Sequence, residues 1–454
     1  MKKVLSLTLV LALALGCVSF ASAEEDKIRL IVWSFSDELK GMIEKYYAPH
    51  HPEIEVEFQV YPIDENTYTT RIDNTFGASA AGDEAPDLFT LEAAFVKHYV
   101  ESDWTGDLKD IGFTDEELAA AFPVMAQIGQ NTAGVQKGLS WQATPGVLMY
   151  RASLAEKYLG VQTPKEMQKK VEDWDAFLET AEELKAASNG ECRMVAGSDD
   201  LWNACQYQRS EGWVVDGRLN IDDELLDFEE LARYFEQDDL THKSEAGTEE
   251  WFAGMRGELP TLCYFLPTWG LHDTLKPHCA EGWDSTRSDE ENLAMLGENT
   301  GTYGDWRLTG GPVAFSEGGT WLGINAAKAA NADDARKAAM HDLIRFFTLD
   351  DDFLTQYARD SGDFVGSQAA AKKILAEGGT PTPFVGGQDP YAIFAAAAAL
   401  ANGSLMSEYD DTINSLWKDY VTTPYTQGEK ELEICLAEFM DAVAAAVPTI
   451  TVEN

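Results

Sequence analysis

The residues Leu139-Ser140-Trp141-Gln142-Ala143-Thr144-Pro145-Gly146-Val147-Leu148-Met149-Tyr150 carry most of what this chain says about its architecture. The segment begins aromatic and polar and ends in an apolar run before Arg151. Proline fixes φ and glycine permits positive φ, so Pro145-Gly146 predicts a change of direction. The apolar run after it predicts a buried strand. Together they describe a strand passing from one lobe to another, with Trp141 at the crossing. Taken alone, the same residues also fit a β-turn inside one domain with a core tryptophan.

Upstream, Ile28 to Trp33 is a short apolar strand, and Asp37-Glu38 open a helix whose Leu39, Met42, Ile43 and Tyr46 share a face. Ile54, Val56, Phe58 and Val60 alternate with polar residues, which predicts a half-buried strand. Strand, helix and strand in this order make a βαβ unit of a mostly parallel sheet. A helix over Tyr68 to Ala78 and a strand over Asp87 to Leu91 follow, with Glu92 just past the strand end. Thr114 with Glu117, and Thr163-Pro164 with Glu166, are capping boxes. Asp173 to Ser188 reads as a helix closed by Asn189-Gly190.

Downstream, Met194 to Ala196, Val214 to Leu219 (with a turn), Leu262 to Leu266 and Thr320 to Ile324 read as strands. Asp333 to Phe347, Pro390 to Leu400 and Asp410 to Tyr420 read as helices. Alternation of strands and helices gives an α/β class, and 454 residues suit two or three domains.

Lys2 and Lys3, the apolar Val4 to Leu15 and the small-x-small Ala21-Ser22-Ala23 spell a signal peptide over 1–23. Gly16-Cys17 keeps lipidation at Cys17 open as a second reading. No later stretch is long and apolar enough for a membrane-spanning helix. The formal net charge is −44, and losing Lys2 and Lys3 with the leader leaves −46. Such a chain lacks the positive footprint that nucleic acid needs, and anionic lipid repels it. A neutral ligand such as a sugar is compatible, a cationic one is favoured electrostatically, and most of the acid serves as a solubilising surface. After the leader, Cys192, Cys205, Cys263, Cys279 and Cys435 remain, at spacings that match no metal motif. Buried free thiols are the default reading, and a Cys192–Cys205 bridge is the alternative. Asp222-Asp223-Glu224 and Asp350-Asp351-Asp352 lack the pattern of a calcium loop and read as helix starts, so no metal or cofactor is expected.

Open α/β sheets bind ligands beyond the carboxyl ends of their strands. That rule selects Trp33, Ser34 and Asp37; Glu92; Ser198, Asp199, Asp200 and Trp202; Trp269; and Trp321. Tryptophan and carboxylate recur in this set, and a sugar uses both. Its C–H faces pack on an indole and its hydroxyls donate to carboxylates. Each residue also has an ordinary reading. Asp37 starts a helix, Trp202 and Trp269 fill a core, Glu92 is a loop acid, and Asp199-Asp200 cap a helix.

Several segments, in order, resemble the extracellular solute-binding proteins of ABC importers, in the carbohydrate group that includes maltose-binding protein. They are Leu30 to Ser34, Ala85 to Phe89, Gly138 to Trp141 with Tyr150-Arg151, Phe265 to Trp269, Gly318 to Asn325, and Phe346-Phe347-Thr348. The resemblance implies a two-lobe fold whose lobes are joined by several crossing strands and close over ligand. The crossings would fall near Trp141 to Val147, Gly319 to Leu322 and Asp363 to Gly366. Lobe one would be 24–142 with 321–365, and lobe two 143–320 with 366–454. Trp141 and Tyr409 join the expected ligand contacts. The implied protein is a monomeric, extracytoplasmic binding component, not an enzyme. Its partners would be a small-molecule carbohydrate and the membrane subunits of a permease, with the membrane met only through that permease or a lipid anchor. The competing readings are a secreted glycoside hydrolase and a binding protein for a cationic peptide or polyamine.

Overall fold

The computed structural model describes residues 27–453, so the expected signal peptide and the lipidation site Cys17 lie outside the described residues. In chain order the strands are β1 (Ile28–Ser34), β2 (Ile54–Val60), β3 (Leu88–Glu92), β4 (Gly138–Ser140), β5 (Pro145–Arg151), β6 (Val214–Val215), β7 (Arg218–Leu219), β8 (Cys263–Pro267), β9 (Trp306–Thr309), β10 (Phe315–Ser316) and β11 (Thr320–Ile324).

Two main sheets form. The first has the order β2-β1-β3-β11-β4 and the second is built on β5, with β8 on one edge and β9 and β10 on the other. In the first sheet β1 runs parallel to β2 and β3, while β11 is antiparallel to both β3 and β4. The expected parallel βαβ unit is therefore present but is joined by a strand returning from the second sheet. Every neighbour of β5 is antiparallel to it. The result is an α/β, two-lobe arrangement, with one sheet at the heart of each lobe.

The sequence explains the helices around the sheets. Both expected capping boxes form, at Thr114 with Glu117 and at Thr163 with Glu166. The helix Trp174–Ala187 ends where Asn189 and Gly190 adopt φ of 52° and 77°. The helix Asp334–Leu349 buries Met340, Leu343, Ile344 and Phe347 and packs on β1, joining a core that includes Leu30, Val32 and Leu88. A second core gathers Leu148, Tyr150, Phe177, Phe235, Phe265 and Phe315. The C-terminal helices add a third, with Trp213, Trp417 and Phe439 at its centre.

Two local expectations change, and the default reading of the cysteines as buried free thiols holds. Met194 to Ala196 is not a strand: Val195 makes one isolated bridge, to Thr241, and the adjacent Arg193 another, to Thr261, so no continuous partner strand is present. The five cysteines from Cys192 to Cys435 are all buried and free, including Cys192 and Cys205. Pro145-Gly146 is not a turn. Both residues lie inside β5, where Gly146 faces Pro267 on one side and Phe315 on the other. The glycine is there for space, since a Cβ at this position would overlap the Phe315 ring. Among the described residues no helix is long and apolar enough to cross a membrane.

Gly146→Ala is therefore expected to destabilise the chain by about 1–3 kcal/mol, the usual range for overpacking a core. Chemical denaturation checks this, and Phe315→Ala in the same chain should recover part of the loss relative to Phe315→Ala alone.

Candidate functional site

Between the two sheets the chain passes three times, and the first pass is hydrogen-bonded to each of the other two. Residues 140–145 link β4 to β5, residues 316–320 link β10 to β11, and residues 363–366 follow the helix Asp351–Ser361. Glu317 N donates to Thr144 O at 3.0 Å, Ala143 N to Phe364 O at 2.9 Å and Gly366 N to Trp141 O at 2.8 Å. Thr144 Oγ1 donates to Gly318 O at 3.0 Å and Thr268 Oγ1 to Ala143 O at 3.3 Å. Gly318 and Gly319 take φ of 72° and 117°, which explains the glycine pair at this bend.

The seam collects polar and aromatic groups from both sheets. Glu92 ends β3 and pairs in register with Thr320, so it lies next to the incoming Glu317-Gly318-Gly319 bend. Its carboxylate accepts from Ala94 N at 2.7 Å and caps the helix Ala93–Glu101. Trp269 follows β8, is partly exposed, and donates its indole N–H to Glu317 O at 2.9 Å. Glu317 Oε2 is shut off from solvent and has no hydrogen-bond partner. Burial, then the charges of Glu92 and Asp200, push the Glu317 carboxyl up to about 7. Burial also raises Glu92 and Asp411, and the Asp411 charge adds to the effect on Glu92. Tyr207 contributes a phenol raised by burial and then by the charges of Glu317 and Asp410. The cation close by, Arg209, is committed to Asp410 at 3.0 Å. Such carboxylates can accept hydrogen bonds from hydroxyl or amine groups, and the exposed part of the Trp269 ring offers a face to pack on.

Residues 33–240 match the family model for bacterial extracellular solute-binding proteins. The resemblance read from the sequence is borne out. Among solved structures, an extracellular solute-binding protein of family 1 is similar with a TM-score of 0.74 at 17% identity, over 91% of this chain and 99% of that one. The sugar-binding protein MalE from Xanthomonas citri is similar with a TM-score of 0.69 at 14% identity, over 90% and 95%. The galacto-N-biose-/lacto-N-biose I-binding protein of an ABC transporter from Bifidobacterium longum, in complex with lacto-N-biose, is similar with a TM-score of 0.66 at 15% identity, over 95% and 100%. No curated protein sequence matches. At these identities the structures establish the two-lobe solute-binding-protein fold.

Within that fold the residues selected from the sequence separate into groups. Glu92 and Trp269 are at the seam. Trp33, Trp141 and Trp321 are buried. Trp33 packs against Tyr61 at 5.1 Å and under the Arg71 guanidinium at 5.3 Å. Trp321 donates to Met125 O at 2.8 Å and Trp141 to Glu38 at 3.2 Å. Ser34 is buried and accepts from Thr90 Oγ1 at 3.1 Å. Asp37 is exposed before the helix Glu38–Met42 and makes no side-chain cap. Asp200 is buried, accepting from Trp251 Nε1 at 3.0 Å and from Ala196 N and Gly197 N at 3.1 and 3.2 Å. Its neighbour Asp199 pairs with Lys418 at 3.0 Å and faces a separate hollow of about 390 Å³. Trp202 packs on Phe228 at 5.2 Å, and both it and Tyr409 lean on the C-terminal core.

Glu317, Tyr207 and Asp411 are additions to the expected set. Glu317 stands directly after β10 and before the glycine pair, so the strand-end rule would have selected it had the two-residue β10 been visible in the sequence. Among the described residues no group of three His, Cys, Asp or Glu side chains is arranged for a metal ion.

Raised carboxyl pKa values have a definite sign. For Glu317 and Asp200, each pushed up to about 7, the stabilising contribution is complete below the unfolded value near 4 and is lost as pH rises through 7. The ligand-free protein should therefore melt at a lower temperature at about pH 8 than at about pH 6. Glu317→Gln should flatten that slope, as read by calorimetry at both pH values.

Proposed function

We propose that this chain is the extracytoplasmic substrate-binding component of an ABC importer and captures a sugar or short oligosaccharide between its lobes. The observation that carries this is the meeting of Glu92, Glu317 and Trp269 where the sheets adjoin, beside the three crossings. Sugar hydroxyls would donate to the two carboxylates, and a sugar face would lie on the exposed part of the Trp269 indole. Tyr409 and Trp202 are proposed as contacts further along the second lobe. Trp33, Ser34, Trp141 and Trp321 would shape the floor behind the ligand, with Asp37 at the margin, Asp200 acting on Glu317 through its charge, and Asp199 on the neighbouring hollow.

The proposed division is 24–142 with 321–365, and 143–320 with 366–454. It is supported by the helix Asp334–Leu349 packing on β1 and the helix Pro390–Ala398 packing on β5. The work done is capture and closure with no bond broken, and ligand favours the closed arrangement by its differential affinity for it. The neighbours that bind sugars, including the lacto-N-biose complex, support this reading, as does the match to the solute-binding family. Delivery to a permease by a monomer outside the cytoplasm completes the proposal.

A cationic ligand is the second reading, favoured by one observation: the Glu317 Oε2 atom accepts from no cation or hydrogen-bond donor. A thermal-shift screen separates the two, using neutral mono- and oligosaccharides in one arm and spermidine and a lysine-rich peptide in the other. A neutral saccharide at about 100 times its Kd should add about 2.7 kcal/mol of stability. A shift with the cations alone would reject the sugar reading. Against the best saccharide, Trp269→Ala should raise Kd by more than about tenfold in calorimetric titration, in line with the loss of a ring contact and its hydrogen bonds.

A further inference from the structure

A second group of carboxyls lies at the crossings, apart from Glu92 and Glu317. Glu38 begins the helix after β1, and Asp363 begins the third crossing. Between them stands Tyr357, on the helix Asp351–Ser361. Its hydroxyl donates to Glu38 Oε1 at 2.7 Å and lies 3.4 Å from Asp363 Oδ2. Trp141 Nε1 donates to Glu38 Oε1 at 3.2 Å, and the Gln142 side chain lies beside Asp363 and favours its ionised form. From the second lobe, the segment Gly270–Leu275 brings Asp273 toward both acids, and His272 Nε2 holds the Gly362 carbonyl at 3.0 Å. Asp37 faces Glu38, and Tyr391 faces Asp363. Lys276 and Asp289 face His272. Among the described residues, none of Glu38, Asp273 and Asp363 is in an ion pair with a Lys, Arg or His.

We propose that Glu38, Tyr357 and Asp363 form a proton-dependent latch at the root of the crossings. It grips while one of the two carboxyls carries a proton and slackens when both are ionised, so the anchoring of the third crossing to the first lobe, and with it the stiffness of the hinge, changes with pH. The chemistry is a count of donors. Tyr357 has one O–H for two acceptors. A proton on Asp363 turns that carboxyl into a donor and removes one of two adjacent charges. With both ionised, the one hydroxyl is shared between two carboxylates that otherwise keep only Trp141 at Glu38 and Gln142 at Asp363, and Asp273 adds a third negative charge from the other lobe.

Burial is the first cause that raises both acids, and the Glu38 and Asp273 charges add to it at Asp363, which reaches about 7. The Tyr357 phenol is itself pushed up, chiefly by burial, and stays a donor throughout. Asp363 is one residue from Phe364 and three from Gly366, whose backbone bonds to Ala143 and Trp141 tie the third crossing to the first. Loss of the latch therefore acts directly on the hinge. This mechanism does not depend on which ligand the cleft takes.

The test is amide hydrogen exchange on the whole ligand-free protein at about pH 6 and about pH 8.5, corrected for the intrinsic exchange rate. The amides of Ala143 and Gly366 are read against Leu322 in the first sheet as reference. Relative protection of Ala143 and Gly366 should be about fivefold greater at the lower pH, as expected for a local opening that the proton opposes. Asp363→Asn and Glu38→Gln should each abolish the difference, and if one variant does not fold the other decides. A ratio to Leu322 that stays constant with pH in the unaltered protein would overturn the latch. So would a pH effect that survives in a folded Asp363→Asn or Glu38→Gln protein.

Discussion

Backbone hydrogen bonding among three crossing segments is the constraint on which the rest of this molecule depends. Each crossing alone is a few residues of unsupported chain, with peptide groups that need partners. Side by side, Thr144 with Glu317, Ala143 with Phe364 and Trp141 with Gly366 satisfy one another. The lobes are thus joined by a narrow ribbon whose stiffness lies in its bonds and whose freedom lies at Gly318, Gly319 and Gly362, all at positive φ. A single connecting strand would leave the sheets loosely tethered. Three bonded ones restrict relative motion to bending across the ribbon, which suits a hinge.

The same place explains why acids in this chain behave in two ways. Most of the 78 Asp and Glu side chains in the sequence serve solubility. A few are drawn beside the ribbon, where water is scarce and other carboxylates are near. Glu317 with Glu92 forms one set and Asp363 with Glu38 the other, and each is raised first by burial and then by its neighbours. Desolvating a charge without a cation beside it is costly, and folding accepts this cost only where other interactions over-determine the geometry. Here the backbone bonds of the ribbon fix the position and the side chains follow.

Much of the architecture was legible because its causes are local. Alternation in Ile54 to Val60, the boxes at Thr114 and Thr163, and the apolar run of Thr320 to Ile324 each fix a short element within itself. The returning strand β11, antiparallel inside the first sheet, also fits the Gly318 to Asn325 segment singled out in the sequence. What escaped depends on distant partners. Gly146 looks like a turn residue until Phe315 is placed across from it, after which its lack of a side chain is a matter of room. The strand-end rule selected Glu92 and Trp269, which lie at the seam, because β3 and β8 are plainly written. It passed over Glu317 because β10 is two residues long, and over Asp363 because no strand precedes it. Three of the selected tryptophans, Trp33, Trp141 and Trp321, sit behind the seam, since a ring at a strand end faces inward as readily as outward and sequence alone does not distinguish the two.

The five thiols bear on how the chain tolerates an oxidising environment. Cys192, Cys205, Cys263, Cys279 and Cys435 are enclosed and unlinked, and burial raises every one of them, Cys192 and Cys279 to about 12. Thiolate is the species that exchanges with disulfides or meets oxidants, and at neutral pH these sulfurs carry almost none of it. Packing therefore stands in for covalent stapling, and the native state is indifferent to the redox poise around it. The vulnerable interval is before the cores close, when the same sulfurs are bare and free to cross-link wrongly.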